Sequence, residues 1–346
     1  MRYASACDGI GAVHVAWKPL GWTCAWTAET ARFPAAVVEH HYGIPNLGDI
    51  TEITDEQLDA HGPIELLVGG TPCQSFSVAG LREGLADPRG NLALGFLGLA
   101  ARARPEWVVW ENVPGVLSSD GGRDFGTFLG ALGQLGYGFA YRVLDAQYFG
   151  VPQRRRRVFV VGHLGDWRRA AAVLFERSCL SRPPAPRRES GKGVAALTAA
   201  GVGTCGADDN QAQAGHVVAA RQTGRGYWND DGLAGLRAHP GGAVVFDETQ
   251  ITSGENRCNP QSGDPSRPLA SSARPPTLAL PSVRRLTPRE CERLQGFPDD
   301  YTLIPYRGKP AADGSRYKAI GNSMAVPVMR WIGERIAAVN EIPYGS

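Results

Sequence analysis

What the sequence lacks narrows its possible functions. No uninterrupted apolar segment approaches the roughly 18 residues that a bilayer-spanning helix needs, so no membrane association is expected. The first residues, Met1-Arg2-Tyr3-Ala4-Ser5, lead directly into a fold motif rather than a leader peptide, which predicts a cytoplasmic protein. The seven cysteines are an odd number, widely spaced, and no two form a CxxC pair. That argues against a disulfide framework and against a structural zinc site, and no metal is expected. The formal net charge is only +2, so any basic surface must be local. Nothing resembles a phosphate-gripping G-x-x-x-x-G-K-[ST] loop. What is present is a chain of 346 residues, 43% hydrophobic, long enough for one large core and a second, smaller unit.

The chain is organised around Gly69-Gly70-Thr71-Pro72-Cys73-Gln74-Ser75-Phe76-Ser77, which follows the apolar run Ile64 to Val68. Such a run, rich in branched residues and closed by Gly-Gly, predicts a buried parallel strand ending in a tight loop. Cys73 then lies just past the carboxyl end of the strand, the edge where ligands collect in open α/β sheets. Pro72 stiffens the loop, because it fixes its own φ and restricts Thr71. Taken alone, Cys73 fits a small buried apolar residue equally well.

The rest of the first half alternates strands and helices. Tyr3–Cys7 reads as a strand, Asp8-Gly9-Ile10-Gly11-Ala12 as a glycine turn and Val13–Leu20 as a helix, a layout that sets backbone N–H groups against a nucleotide-like ligand. A second strand, Thr23–Thr27, runs out at Glu29, about 20 residues beyond Gly9, where an acid can accept from ribose hydroxyls; it also fits a solvated helix-start acid. Ala35–Tyr42 reads as a helix, and Gly48-Asp49-Ile50 forms a third turn at which an acid could meet an adenine amino group. Together the three turns suggest an adenosyl ligand. A helix is expected to run from Asp87–Leu92 to about Ala103, then a strand over Glu106–Trp110 that places Glu111 at the same sheet edge as Cys73. A dehydrated carboxylate there is costly without a partner, so it serves chemistry or caps the next turn. Phe125–Leu135 reads as a helix and Ala140–Ala146 and Val158–Val161 as strands. In the extended Gln153-Arg154-Arg155-Arg156-Arg157, side chains alternate, so Gln153, Arg155 and Arg157 share one face and Arg154 and Arg156 the other.

This ordered set, with Arg285-Leu286-Thr287-Pro288-Arg289-Glu290-Cys291 running on to Gly296-Phe297-Pro298, and with Tyr317-Lys318-Ala319-Ile320-Gly321-Asn322-Ser323, resembles the C5-cytosine DNA methyltransferases of bacteria and prophages over about 1–165 and 284–335. The resemblance implies an α/β, Rossmann-like methyltransferase domain over 1–165 and 315–346. A loop-rich target-recognition domain would cover 166–314, including the helix near 287–296. It implies S-adenosylmethionine as methyl donor and double-stranded DNA as substrate. Cys73 would add to cytosine C6, Glu111 would hold the N3 and amino edge and Arg157 the O2 side, with Arg155 or Arg157 favouring the thiolate. Pro72, Gln74, Ser75, Asn112 and Gln153 would contact the substrate. Gly9, Ile10, Gly11, Glu29, Asp49, Ile50 and Leu92 would surround the cofactor, with Asn322 and Ser323 returning from the C-terminal segment. The family's acidic and aromatic residues before the glycines are here Ser5 and Cys7, and Asp8 replaces a small residue.

The segment 166–283 is rich in Gly, Pro, Asn, Asp and Ser, and its Arg221, Arg225, Tyr227 and Trp228 are of the types that read bases or grip phosphate; they also fit ordinary loops. Thr287-Pro288-Arg289-Glu290 predicts a capped helix start, and Val326–Val339 a last helix packed on the first domain. An RNA-directed relative that acts on tRNA shares the Pro-Cys-Gln and Glu-Asn-Val elements, but the long insert favours DNA. A catalytically silent DNA-binding relative would have lost Cys73 or Glu111, and both are present. A monomer is expected, with or without a restriction endonuclease acting on the same site.

Overall fold

The computed structural model describes residues 1–72, 92–176, 244–246, 277–279 and 284–343. Cys73, Gln74, Ser75, the linker around Pro183-Pro184 and the basic and aromatic residues expected to read DNA lie outside the described residues.

The strand β1 (Arg2–Ala6) enters the glycine turn, and α1 (Ala12–Trp17) leaves it, closing through a short 3-10 turn at Gly21, whose φ of 69° only glycine adopts readily. There follow β2 (Thr23–Ala28), α2 (Arg32–Tyr42), α3 (Asp55–His61), β3 (Leu66–Gly69) and α4 (Leu92–Ala103). Helix α3 starts in a full capping box between Thr54 and Gln57, a signal that the sequence reading passed over. Next come β4 (Trp107–Asn112), α5 (Arg123–Gln134), β5 (Tyr137–Asp145), β6 (Arg156–Leu164) and α6 (Trp167–Leu174). Beyond them are the short β7 (Val244–Phe246), β8 (Thr277–Ala279) and β9 (Arg284–Arg285), then α7 (Pro288–Gln295), α8 (Asp313–Asn322) and α9 (Val326–Asn340).

Six strands form one sheet in the order β2-β1-β3-β4-β6-β5, while β7, β8 and β9 form a separate small one. The pairs β2–β1, β1–β3 and β3–β4 are parallel, and β6 runs antiparallel to both β4 and β5. The alternation of the strands explains why both faces are covered. Leu66, Val68, Trp107 and Val109 point into one core with α1, α6 and α7 to α9; Leu67, Val108 and Trp110 point into the other with α4 and α5.

Two expectations are corrected. Strand β4 does not stop at Trp110 but carries Glu111 and Asn112 within it, paired with Phe159 and Val158 of β6. The antiparallel neighbour holds the strand extended for two residues more than its apolar run predicts. The capped helix α7, expected in the smaller unit, buries Cys291 and Leu294, with Leu286 and Phe297 just beyond its ends, in the same core as Leu66 and Val68. Its position after the insert does not decide where its apolar face goes. The last helix, α9, crosses α1, where the Trp17 indole donates to the Met329 carbonyl at 2.8 Å.

Candidate active site

The glycine turn has three residues of positive φ, Cys7 at 51°, Gly9 at 61° and Gly11 at 78°. A side chain on Gly11 would press on His14 Cδ2 at 2.7 Å, whereas the space beside Gly9 is open to 4 Å. The Gly9 amide donates to Glu29 Oε2 at 2.9 Å, and Glu29 Oε1 accepts from the Ala31 amide at 2.7 Å. Glu29 is thus hung on the turn at the end of β2. Burial pushes its carboxyl above the usual glutamate range, against the pull of those two amides. Asp49 accepts from both the amide and hydroxyl of Thr51, at 2.9 and 2.8 Å, and Ile50 is buried against Gly95 of α4. Leu92 opens α4 half-buried, Asn322 is exposed at the end of α8, and the buried Ser323 hydroxyl donates to the Met324 carbonyl at 3.2 Å. Open space at Gly9 beside an anchored acid fits an adenosyl group.

Asp8 does not face that space as an additional ligand group. Ser5 Oγ donates to Asp8 Oδ1 at 2.5 Å, Asp8 Oδ2 lies 2.8 Å from His14 Nε2, and His14 Nδ1 lies 2.7 Å from the Tyr3 hydroxyl, all buried. The departures at Ser5 and Asp8 are therefore two parts of one internal network under the turn. The Cys7 thiol is pushed up to about 12 by burial and by Glu29, Asp49 and Asp8, so it stays protonated near neutrality.

On the other side of the sheet edge, the residues around Thr71 set the entry to the Cys73 loop. The Trp110 indole donates to Thr71 Oγ1 at 2.9 Å, and the Asn112 amide to the Thr71 carbonyl at 3.0 Å. Asn112 Oδ1 accepts from the Val113 amide at 2.8 Å, so both ends of that side chain hold backbone, while Pro72 is exposed. The Arg157 Nε lies 3.2 Å from Glu111 Oε1, an ion-pair distance. This oxygen has no hydrogen-bond partner among the described residues. Gln153 is 0% exposed, with neither end of its amide partnered among the described residues. Arg155 is buried too. Its amide donates to Asp145 Oδ1 at 2.9 Å and its Nη1 to the Gly321 carbonyl at 3.1 Å, and its Nε has no partner among the described residues. Burial and the nearby Arg157 pull the Arg155 guanidinium below the usual arginine range, against Glu111. Arg154 and Arg156 stay on the outer face, as the alternation predicts.

The two sides meet at Gly70, where an added Cβ would stand 2.7 Å from Met324 Cε and 3.2 Å from Glu111 Oε2. The structure therefore brings Glu111, Arg155 and Arg157 together with the Gly321–Met324 return. Sequence reasoning missed Thr71 and Met324, whose part is set by contacts remote in sequence, and Gln295, whose amide donates to the Ile320 and Ser323 carbonyls at 2.9 and 3.2 Å.

A family model described as C-5 cytosine-specific DNA methylase matches residues 1–193 and 209–338. The chain belongs to that family. A C-5 cytosine methylase of this kind has the S-adenosylmethionine-dependent methyltransferase fold. The chain is 31% identical to the Type II methyltransferase M.HpaII of Haemophilus parainfluenzae, covering 95% of this chain and 87% of that one. It is 36% identical to a protein of Escherichia phage P1 named a DNA N-6-adenine-methyltransferase, over 96% of this chain and 61% of that protein's length. Its fold resembles that of the Dnmt2 methyltransferase of S. pombe, with a TM-score of 0.59 at 14% identity, over 99% of this chain and 100% of that one. In this C-5 cytosine methylase β1, β3, β4 and β6 are successive neighbours in the sheet.

Proposed function

We propose that this chain is a sequence-specific DNA (cytosine-5-)-methyltransferase working through a covalent bond from Cys73 to C6 of a flipped-out cytosine. The observation that carries the reading is Glu111. Its carboxylate is buried at the sheet edge, with one oxygen paired to a guanidinium but accepting no hydrogen bond among the described residues. A buried acceptor left without a hydrogen bond costs about 1–3 kcal/mol, and the amino group of a cytosine would supply one.

The Cys73 thiolate adds to C6, and the C5–C6 electron pair moves to C5. A free thiol with a pKa of about 8.5 is a few per cent ionised near neutrality, so positive charge from Arg155 and Arg157 favours attack. Glu111 hydrogen-bonds the N3 and amino edge as the ring gains charge, and Arg157 holds O2. When bound, S-adenosylmethionine would supply an electrophilic methyl for C5, with S-adenosylhomocysteine as the leaving group. Loss of the C5 proton then restores the double bond and expels Cys73 as the thiolate. Gly9, Ile10, Gly11, Glu29, Asp49, Ile50, Leu92, Asn322 and Ser323 hold the methyl donor. Gln153 and the Pro72–Ser75 loop meet the flipped nucleotide, and Asn112 acts by pinning that loop at Thr71. Base flipping itself costs a few kcal/mol, which the recognition contacts must supply. The stretch between α6 and Leu286 carries those contacts, so the capped helix α7 belongs with the catalytic unit. The enzyme acts as a monomer in the cytoplasm, and an endonuclease partner would cut the same sequence that it methylates.

The test is mass spectrometry of nucleosides from duplex DNA methylated by the chain. The expected product is 5-methylcytosine, absent with Cys73→Ala and confined to one short sequence context by bisulfite sequencing. N6-methyladenine without 5-methylcytosine, the product in the phage P1 relative's name, would overturn the reading.

A further inference from the structure

The glycine turn is held from a part of the chain that the site has not used. Tyr301, 5% exposed, donates its hydroxyl to the Ile10 carbonyl at 2.8 Å. Ile10 lies between Gly9 and Gly11, both of positive φ, and glycine adopts either sign of φ readily, so the turn takes its shape from the contacts around it. Burial holds the Tyr301 hydroxyl protonated well beyond the physiological range, so it remains a donor. The tyrosine is itself fixed on three sides. Its ring stacks on His41 at 4.2 Å with an 8° interplanar angle and lies 4.8 Å from Phe297, and its carbonyl is 2.7 Å from His41 Nε2. The loop that carries it is braced on α7, where Arg293 Nε pairs with Asp299 at 2.6 Å and Arg289 Nε with Asp300 at 3.1 Å.

We infer that Tyr301 is a positioning residue for the methyl donor, acting through Ile10 on the Gly9 amide from which Glu29 hangs. This rests on the reading of the turn as the cofactor seat. It also ties that seat to the loop after α7, the first helix beyond the insert, so the methyl donor is gripped from both sequence halves of the catalytic unit. Loss of the hydroxyl leaves the ring packing intact and frees the turn, so the effect falls on cofactor affinity and not on the chemical step.

Tyr301→Phe tests this against Tyr137→Phe, which deletes a second buried hydroxyl, one that donates to the Pro105 carbonyl at 2.7 Å away from the turn. By calorimetric titration with S-adenosylhomocysteine, Tyr301→Phe is expected to bind about tenfold more weakly, about 1.4 kcal/mol. Its KM for S-adenosylmethionine should rise in parallel, with kcat at saturation unchanged. Tyr137→Phe should lower the melting temperature and leave the affinity alone. An affinity for Tyr301→Phe within twofold of wild type, or a fall in kcat at unchanged KM, would overturn the inference. A wild-type chain that does not bind S-adenosylhomocysteine would overturn the reading of the turn and this inference with it.

Discussion

Glu111 and Glu29 are both acids at the carboxyl edge of the sheet, but their surroundings set them different tasks. Glu111 has an oxygen that pairs with Arg157 but accepts no hydrogen bond among the described residues, so it is poised for a ligand that donates one. Glu111→Gln keeps the volume and removes the charge. Single-turnover methylation should then slow by about 100- to 10,000-fold, the range for an acid–base or charge-stabilising group, while DNA affinity by titration stays within a few fold. A near-normal rate would remove Glu111 from the chemistry. Glu29 is anchored by amides, and burial raises its pKa. A carboxyl with a raised folded pKa favours folding most in its protonated form; that contribution is complete below the ordinary glutamate value and is lost as pH rises through the folded one. Glu29→Gln should therefore be no less stable than wild type at neutral pH. On the proposed reading cofactor binding has the opposite sign, because ribose hydroxyls would donate to the ionised acid. Affinity for S-adenosylhomocysteine should fall as pH drops from neutrality through the raised value, and calorimetry of Glu29→Gln should show weaker binding that is flat over the same window.

The crossing of α1 and α9 is set by one absent side chain. A Cβ on Gly333 would stand 2.5 Å from Trp17 Cδ1 and 2.9 Å from Leu20 Cδ1, and Trp17 is fully buried with its indole already committed to Met329. Gly333→Ala overpacks this contact, at a cost of about 1–3 kcal/mol. The melting temperature should fall by several degrees in a thermal scan, with activity per folded molecule unchanged at 25 °C; an unaltered melt would mean that the helices part without cost. Elements of this kind show what a sequence can and cannot disclose. The capping box at Thr287 and the apolar strands were legible because their signals lie within a few residues, and the Gln153, Arg155 and Arg157 face followed from alternation alone. Thr54 and Gln57 carried an equally local signal that was overlooked. The end of β4 was misplaced because β6 extends it, and Tyr301 was invisible because its partner Ile10 lies 291 residues away. Such roles are written in contacts between distant segments, and nothing in local composition marks them.

At the scale of the whole molecule, the core on one face of the large sheet is assembled from two separated stretches. The C-terminal stretch contributes more than a covering layer. Trp107 of β4 donates to Asn340 Oδ1 at 3.1 Å, Arg169 of α6 donates to the Val339 and Ile342 carbonyls at 3.0 and 2.7 Å, and Met329, Ile332 and Ile336 lie in the same core as Leu66 and Val68. A chain ending at residue 283 would expose Trp17, Val13 and Ile10 to water and leave the Arg169 guanidinium without these two carbonyls. Fully burying one large apolar side chain is worth about 1.5–3 kcal/mol, whereas a domain has only about 5–15 kcal/mol in all. Losing the partners of a whole helix-packed face therefore exceeds what the first stretch can hold alone. The truncated chain should show no cooperative unfolding by calorimetry, whereas the full chain should melt with α1 and α9 losing amide protection together in hydrogen exchange. If residues 1–283 instead melted cooperatively near the full-length temperature, the catalytic unit would be continuous in sequence, and α7 to α9 would be an attached layer whose hold on the glycine turn is dispensable to the fold.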